Sequence, residues 1–220
     1  MMRLVMFDLD GTLVDSGALI FEHMTTTFRT HGLAIPSEAG AHSIIGLSLE
    51  MAMVRLAGCD EATAHMLAAT YRKEYRAMIA KGERHEPLYA GARAAVERLA
   101  AGGGHVLGIA TGKGLSGLRR VLDLHALAPH FITLQTPDHN PSKPHPGMLL
   151  RAMEETGVGP RATVMIGDTT FDMETARSAG ARAIGVTWGY HARADLEEAG
   201  ADIIIEDYSQ LDDAIEKVLS

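Results

Sequence analysis

The sequence predicts an α/β fold: a mostly parallel sheet flanked by helices, interrupted near its N-terminus by an all-helical insertion. Three observations predict it. A short apolar run at 4–7 ends in a pair of acids, which reads as a buried strand with polar residues at its end. From 16 to 86 the hydrophobic period is helical, with no convincing strand. From 87 onward short β-like runs alternate with helical stretches, the pattern of a parallel sheet covered on both faces.

The first strand runs into Asp8-Leu9-Asp10-Gly11-Thr12. Alternation along an extended chain turns Asp8 and Asp10 to one side and Leu9 back into the protein. Like charges about 4 Å apart repel by about 4 kcal/mol at an effective dielectric of 20, so the pair needs a cation or a shared proton. Hard oxygen ligands suit a hard cation, and Mg²⁺ is the expected metal. In the insertion, a first helix carries Leu19, Ile20, Met24, Thr27 and Phe28 on one side and stops at Gly32. Ser37 and Ser48 are N-caps for two shorter helices. A longer helix begins at Asp60, carries Leu67, Tyr71, Tyr75 and Met78 at helical spacing, and closes at Gly82; that stripe reads as a seam between helices.

Further strands are expected at 105–110, 131–134, 163–166, 183–186 and 203–205, with helices near 91–101, 114–124, 146–157, 170–179, 192–199 and 209–219. The N-terminal strand belongs to the same sheet. One Rossmann-like unit therefore comprises 1–15 and 87–220, and 16–86 is inserted into it through two connections, Asp15 to Gly17 and His85-Glu86-Pro87-Leu88. Binding chemistry in such sheets gathers at the carboxyl ends of the strands.

Those strand ends hold the remaining candidates. After 163–166 come Gly167-Asp168-Thr169-Thr170-Phe171-Asp172. Asp168 leaves the strand and Asp172 follows four positions later on the first helical turn, so both can face one site, with Gly167 permitting the close turn. An acid at a helix N-terminus is stabilised in its own right, so capping is the competing role for Asp172. After 105–110, Thr111-Gly112-Lys113 offers a hydroxyl and backbone N–H groups at a helix start, a natural anion seat. In Ser142-Lys143-Pro144-His145-Pro146 the prolines restrict the backbone and hold Lys143 with little freedom. The chain's only lysines are Lys73, Lys81, Lys113, Lys143 and Lys217, and Lys143 falls at the active edge. His145 has a structural or rim role.

Composition narrows the partners. At 220 residues, 46% hydrophobic and a formal charge of −8 without a Lys/Arg run, the chain has a sizeable core and no footprint for nucleic acid. No apolar stretch approaches membrane-spanning length. The single cysteine, Cys59, excludes an internal disulfide, fits a reducing compartment and reads as packing; the short apolar start with Asp8 in it does not read as a signal peptide. A cytoplasmic location is expected.

Taken in order, Asp8-Leu9-Asp10-Gly11-Thr12, Thr111, Lys143-Pro144 and Gly167-Asp168 with Asp172 resemble the four motifs of the haloacid dehalogenase superfamily of phosphohydrolases. The resemblance covers essentially the whole chain, including a helical cap inserted after the first strand. It implies Mg²⁺-dependent hydrolysis of a small phosphorylated metabolite. Asp8 is then the nucleophile that forms an aspartyl-phosphate, and Asp10 protonates the leaving oxygen and later takes a proton from water. The implied metal holders are Asp8, the backbone carbonyl of Asp10 and Asp168, with Asp172 as ligand or orienter. Thr111 and the N–H of Gly112 would grip the phosphate, and Lys143 would neutralise Asp8 and the transferring oxygens.

Within the superfamily, an acid at Asp10 disfavours a dehalogenase, and Lys73 and Lys81, on a helix that looks solvated, disfavour a phosphonatase-like Schiff base. Ile20 stands where β-phosphoglucomutase-like members usually carry a histidine. The stretches 45–50 and 185–190 look most like phosphoglycolate phosphatases, with the loop 43–48 helping to choose the substrate; His23, His42 and Arg55 are weaker candidates for substrate contact. Pyrophosphatase and sugar phosphate mutase activities are the alternatives within the superfamily. A reading of another class comes from Gly112 to Gly117, which satisfies G-x-G-x-x-G with Asp138 about twenty residues on, as an NAD-dependent oxidoreductase would require. It leaves Asp8, Asp10, Lys143, Asp168 and Asp172 unexplained. A non-enzymatic binding member of the fold is the remaining alternative, against which both Asp8 and Asp10 argue.

Overall fold

The computed structural model describes residues 2–82 and 86–220; His85, expected in the second connection, lies outside the described residues. Six strands, β1 (Arg3–Phe7), β2 (His105–Ala110), β3 (Phe131–Gln135), β4 (Thr163–Gly167), β5 (Arg182–Val186) and β6 (Ile203–Ile205), form one sheet in the order β3-β2-β1-β4-β5-β6. Every pairing is parallel. The chain lays β2 and β3 to one side of β1 and β4 to β6 to the other. The order therefore reverses between β1 and β4, the switch point where ligands bind in open α/β sheets.

The helices fall into three groups, which follow from side-chain alternation. On β1, Val5 and Phe7 point to one face and Leu4 and Met6 to the other. The first face packs against α5 (Ala92–Ala101), α6 (Leu115–Leu124) and α10 (Leu211–Leu219) through Val96, Leu118, Val121 and Ile215. The second packs against α7 (Gly147–Thr156), α8 (Thr170–Ser178) and α9 (Arg193–Ala199) through Met148, Leu149, Met173 and Leu196. A strand covered on both faces can be apolar throughout, which is why 4–7 reads as a continuous run.

Between β1 and α5 lie α1 (Gly17–Thr30), α2 (Glu38–His42), α3 (Leu49–Ala57) and α4 (Glu61–Ala80). Ser37, Ser48 and Asp60 cap α2, α3 and α4 by accepting backbone N–H groups three residues on. The four helices enclose their own cluster of Met24, Phe28, Ile45, Met53 and Leu67, joined by Phe171 from α8. The two connections run side by side: Asp15 N–H donates to Pro87 O at 2.8 Å, and Val14 bridges Leu88 in antiparallel fashion. Half-buried Cys59 packs on this cluster.

The strand and helix positions follow the sequence reading closely, with three physical differences. Strands β3 and β4 continue by one residue, to Gln135 and Gly167, because their backbones still pair with β2 and β5. The last helix begins at Leu211, preceded by a 3-10 turn at Tyr208–Gln210. The expected seam also serves a second surface: Tyr71, packed on the cluster of Leu67, and Tyr75 are half-buried and line the cleft below α4. No helix among the described residues is long and apolar enough to cross a membrane.

Candidate active site

Two strand ends make the centre of the site. Beyond β1, Asp8 stays in register, its N–H donating to Ile166 O at 2.9 Å, so Asp8 and the residues after β4 emerge side by side. The chain then folds tightly over 9–14, with Leu13 and Val14 N–H donating to Leu9 O. Leu9 is buried in the core, and Asp8 and Asp10 both line the cleft above the sheet. The loop is pinned at Thr12, whose carbonyl accepts from Trp188 Nε1 at 3.0 Å and Tyr208 Oη at 2.8 Å, and whose hydroxyl donates to Asp168 Oδ1 at 2.8 Å. Gly11 is required here twice: its φ is +88°, and a Cβ would stand 2.3 Å from Asp168 Oδ2.

One carboxylate oxygen from each of Asp8, Asp168 and Asp172 lies within 4.8 Å of the others, and all three residues are buried. Among the described residues a single enclosed cation offsets part of their charge. Lys143 Nζ is 2.6 Å from Asp172 Oδ1, 3.1 Å from Asp8 Oδ2, and donates to Ala110 O at 3.2 Å. Burial alone would lower the pKa of Lys143, but Asp172 and Asp8 outweigh it and the ammonium is held more firmly charged than an ordinary lysine.

Three acids against one base leave the pocket short of positive charge. Burial, then repulsion from Asp172, pushes Asp168 up to about 7. Burial also raises Asp8 well above the carboxylate range, against the pull of Lys143 and with Asp172 and Asp168 adding to it. Asp8 Oδ1 accepts Leu9 N–H at 2.7 Å, whereas Oδ2 is buried without a hydrogen-bond donor in acceptable geometry. Three buried carboxylates whose oxygens lie this close, with Lys143 as their one ammonium partner, are a set of hard donors that fits a divalent cation such as Mg²⁺.

The structure redistributes the charges that the sequence paired. Asp8 is repelled by Asp168 and Asp172 rather than by its neighbour Asp10. The Asp10 carboxylate turns away from the three-acid group: its Oδ1 accepts Ser16 Oγ at 2.6 Å and pairs with Lys113 Nζ at 3.2 Å. Asp8 and Asp10 line one cleft with Leu9 turned into the core, as alternation predicts, but within that cleft the two carboxylates meet different cations. Lys113, which pairs with Asp10 in the cleft, has no role of its own in the sequence reading, although it stands two residues beyond Thr111 in a chain with few lysines. Glu86, which holds Lys113 from the other side at 3.3 Å, gave no signal in the sequence.

Asp172 takes the capping role weighed for it and also faces the three-acid group. With Thr169 it forms a capping box at the start of α8, its Oδ2 accepting Thr169 N–H at 3.1 Å and Oγ1 at 2.7 Å, while Oδ1 holds Lys143. Gly167 is needed for clearance, since a Cβ there would lie 2.3 Å from the Asp172 carboxyl carbon.

The cleft has a volume of about 910 Å³, and its floor includes Asp8, Asp10, Thr111 and Gly112. Lys143, Asp168 and Asp172 sit enclosed behind Asp8. At the α6 N-terminus Leu115 N–H is taken by Asp138 Oδ2 at 2.8 Å and Lys113 N–H by Thr111 Oγ1 at 3.1 Å, while Thr111 and Gly112 themselves line the cleft. Those bonds also remove the dinucleotide fingerprint, because Asp138 is a helix cap rather than a ribose ligand. Gly112 faces the insertion so closely that a Cβ would stand 2.1 Å from Leu47 O and 2.7 Å from Gly46 O. Residues 44–50 of the insertion thus roof the cleft beside Thr111, and Ser48 N–H donates to Ser142 Oγ at 2.8 Å next to Lys143. His23, His42 and Arg55 pack against Tyr71 and Tyr75, Tyr190, and Phe171 respectively, outside the cleft lining. His145 Nδ1 accepts Gly147 N–H at 3.0 Å at the start of α7, a structural role.

Comparison with known proteins agrees with this geometry. Residues 5–186 match the family described as haloacid dehalogenase-like hydrolase. The chain is 33% identical over 214 residues to the protein named probable phosphatase IndB of Dickeya dadantii, covering 96% of this chain and 92% of that one. It is 29% identical over 224 residues to an N-acetylmuramic acid 6-phosphate phosphatase of Pseudomonas aeruginosa, covering 99% and 96%. It is 27% identical over 219 residues to a phosphoglycolate phosphatase of Vibrio parahaemolyticus, covering 95% and 94%. The crystal structure of a hydrolase from Pseudomonas syringae superposes with a TM-score of 0.84 at 25% identity, covering all of both chains.

Two outcomes are expected from the site geometry. Gly112→Ala places a methyl against the Leu47 carbonyl, so the roof must withdraw; stability falls by about 1–3 kcal/mol and KM for a phosphate ester rises. Unchanged melting and KM would show that the 44–48 loop does not close on Gly112 in solution. Mg²⁺ at about 100 times its Kd should stabilise the wild type by roughly 2.7 kcal/mol in thermal melts, and the gain should vanish in Asp168→Asn. An equal gain in both proteins would place the cation elsewhere.

Proposed function

Because this chain belongs to the haloacid dehalogenase-like hydrolase family and is a phosphatase-type enzyme, we propose that it hydrolyses a small-molecule phosphate monoester through a phosphorylated Asp8, with Mg²⁺ as cofactor. The observation that carries the reading is Asp8 itself. It is a carboxylate at the floor of a cleft, its Oδ2 paired with Lys143 at 3.1 Å, and it is flanked by Asp168 and Asp172.

In this reading Asp8 and Asp168 hold the metal together with the Asp10 carbonyl, and Asp172, with both oxygens already engaged, orients Lys143 and the metal pocket. Bound Mg²⁺ supplies the charge that lets a phosphate dianion approach four acids, and it polarises the phosphoryl group. Asp8 Oδ2 attacks phosphorus; the P–O bond to the leaving group breaks as the Asp8 O–P bond forms. Asp10 gives its proton to the departing oxygen, then removes one from the water that attacks the aspartyl-phosphate, which restores Asp8 and releases phosphate. Lys143, Thr111 and the Gly112 N–H stabilise the equatorial oxygens as charge spreads over them. Residues 16–86 act as the cap over a core of 1–15 and 87–220, excluding water when the roof is down.

A phosphoglycolate-like ester is the favoured substrate. Arg72 and Arg76 of α4 line the cleft, a chemistry suited to a leaving group that carries a carboxylate, as do the substrates named for two of the relatives. The volume admits leaving groups larger than glycolate. Buried, apolar Ile20 lines the same cleft and offers no proton-transfer group, which disfavours a mutase.

The reading is tested on p-nitrophenyl phosphate and a panel containing 2-phosphoglycolate, sugar phosphates and pyrophosphate. Phosphate release should require Mg²⁺, and Asp8→Asn should lower kcat by three orders of magnitude or more, on the scale of losing a nucleophile that works in concert with its partners. Full activity of the variant, or indifference to EDTA, rejects the mechanism. Asp10→Asn should slow alkyl esters roughly 10²-fold or more and p-nitrophenyl phosphate less, because p-nitrophenolate departs without a proton. Equal losses on both would remove Asp10 from the acid role.

A further inference from the structure

One buried carboxylate at the mouth of the insertion has no part in the chemistry above. Glu86 stands immediately before Pro87, where the chain returns to the sheet, and its side chain is completely enclosed. Its Oε1 accepts the Tyr75 hydroxyl at 3.0 Å and pairs with Lys113 Nζ at 3.3 Å, while Oε2 forms a close ion pair with Arg120. Arg120 also bonds the Tyr75 hydroxyl, and both cations lie over the Tyr75 ring, at 5.4 Å for Lys113 and 5.2 Å for Arg120. The Glu86 carbonyl is held by His125 Nε2 at 2.8 Å. The second connection, helix α4 and helix α6 therefore converge on one carboxylate.

The far side of this cluster is the active site. Lys113 is the only cation paired with Asp10 among the described residues, and it lies between Asp10 and Glu86 at 3.2 and 3.3 Å. Two anions and two cations make the group neutral, which is what an enclosed charge set requires. A lysine side chain is long and flexible, and in a cleft that receives phosphate a lone ammonium would follow the strongest anion. Opposed carboxylates prevent that. From this arrangement we infer that Glu86 is a positioning residue. Through the Lys113 ammonium it fixes the Asp10 carboxylate for proton transfer, and through Tyr75 it makes that placement depend on the insertion lying over the cleft. The inference rests on Asp10 as the general acid, so Asp10→Asn is measured beside it.

The experiment is single-turnover release of the leaving group, in saturating Mg²⁺, from p-nitrophenyl phosphate and from the alkyl phosphate that the wild type cleaves fastest. Glu86→Gln keeps the shape and removes the charge. It should slow the alkyl ester roughly tenfold or more, within the range of lost general-acid catalysis, and change p-nitrophenolate release little. Lys113→Met should show the same pattern, and the double variant should be no slower than Lys113→Met alone, because Glu86 acts through that ammonium. Equal slowing of both esters, accompanied by a lower Tm, would make Glu86 a structural tie only and overturn the inference; so would additive losses in the double variant. If Asp10→Asn fails to distinguish the esters, the acid role and this inference fall together. If it does distinguish them and Glu86→Gln does not, the positioning role alone fails. Should Glu86→Gln not fold, Lys113→Met and Lys113→Arg decide: selective loss with partial rescue by arginine supports the role, and identical behaviour overturns it.

Discussion

The structure turns on one ammonium group. Lys143 is enclosed at the carboxyl edge of the sheet and is the sole cation that touches Asp8 and Asp172 among the described residues. Leaving one member of a buried ion pair without its partner costs about 3–5 kcal/mol, so three acids from two strand ends can share a dry pocket only because that lysine is there. Everything around it is arranged for close approach. Gly11, Gly167 and Gly189 each stand where a Cβ would come within 2.4 Å of an Asp168 or Asp172 side chain. The pocket is still deficient in positive charge after Lys143 is counted, and that deficit is the physical basis for a divalent cation.

A second lysine completes a division of labour. Lys143 pairs with Asp8, the nucleophile of the proposed mechanism, and Lys113 with Asp10, its proposed acid. The two acids are one residue apart in sequence, yet each meets a different cation because the loop folds sharply between them. The environments differ accordingly. Asp8 is locked into the sheet edge by its own N–H to Ile166, while Asp10 is tied to both connections of the insertion, by Ser16 on the first and by Lys113 to Glu86 on the second. In the proposed mechanism, attack would belong to the sheet edge and proton transfer to the joint between sheet and insertion.

The order of strands made this arrangement available. With β1 at the switch point, the loops after β1, β2 and β4 and the segment after β3 all end over the same crevice, and a helical block inserted after β1 is delivered directly above it. Gly112 shows how closely the two parts meet, since its missing side chain is the space occupied by the Leu47 carbonyl. The close contact also explains the failure of the dinucleotide fingerprint. The glycines of 112–117 serve close packing, and Asp138 caps α6 from the loop after β3.

Local pattern by itself determined the strands, the helices with their Ser37, Ser48 and Asp60 caps, and the family resemblance, because alternation, helical period and capping act within a few residues of each other. It also named Asp8, Asp10, Thr111, Gly112, Lys143, Asp168 and Asp172, since a parallel sheet delivers its strand ends to one edge whatever the details of packing. What it could not decide was which charge meets which. That Asp8 is repelled by Asp172 and Asp168, that Lys113 and Glu86 belong beside Asp10, and that Tyr71 and Tyr75 line a cleft as well as packing on their neighbours all depend on contacts between segments distant in the chain. Coulomb interactions follow separation in space and not in sequence, so only the folded chain could assign them.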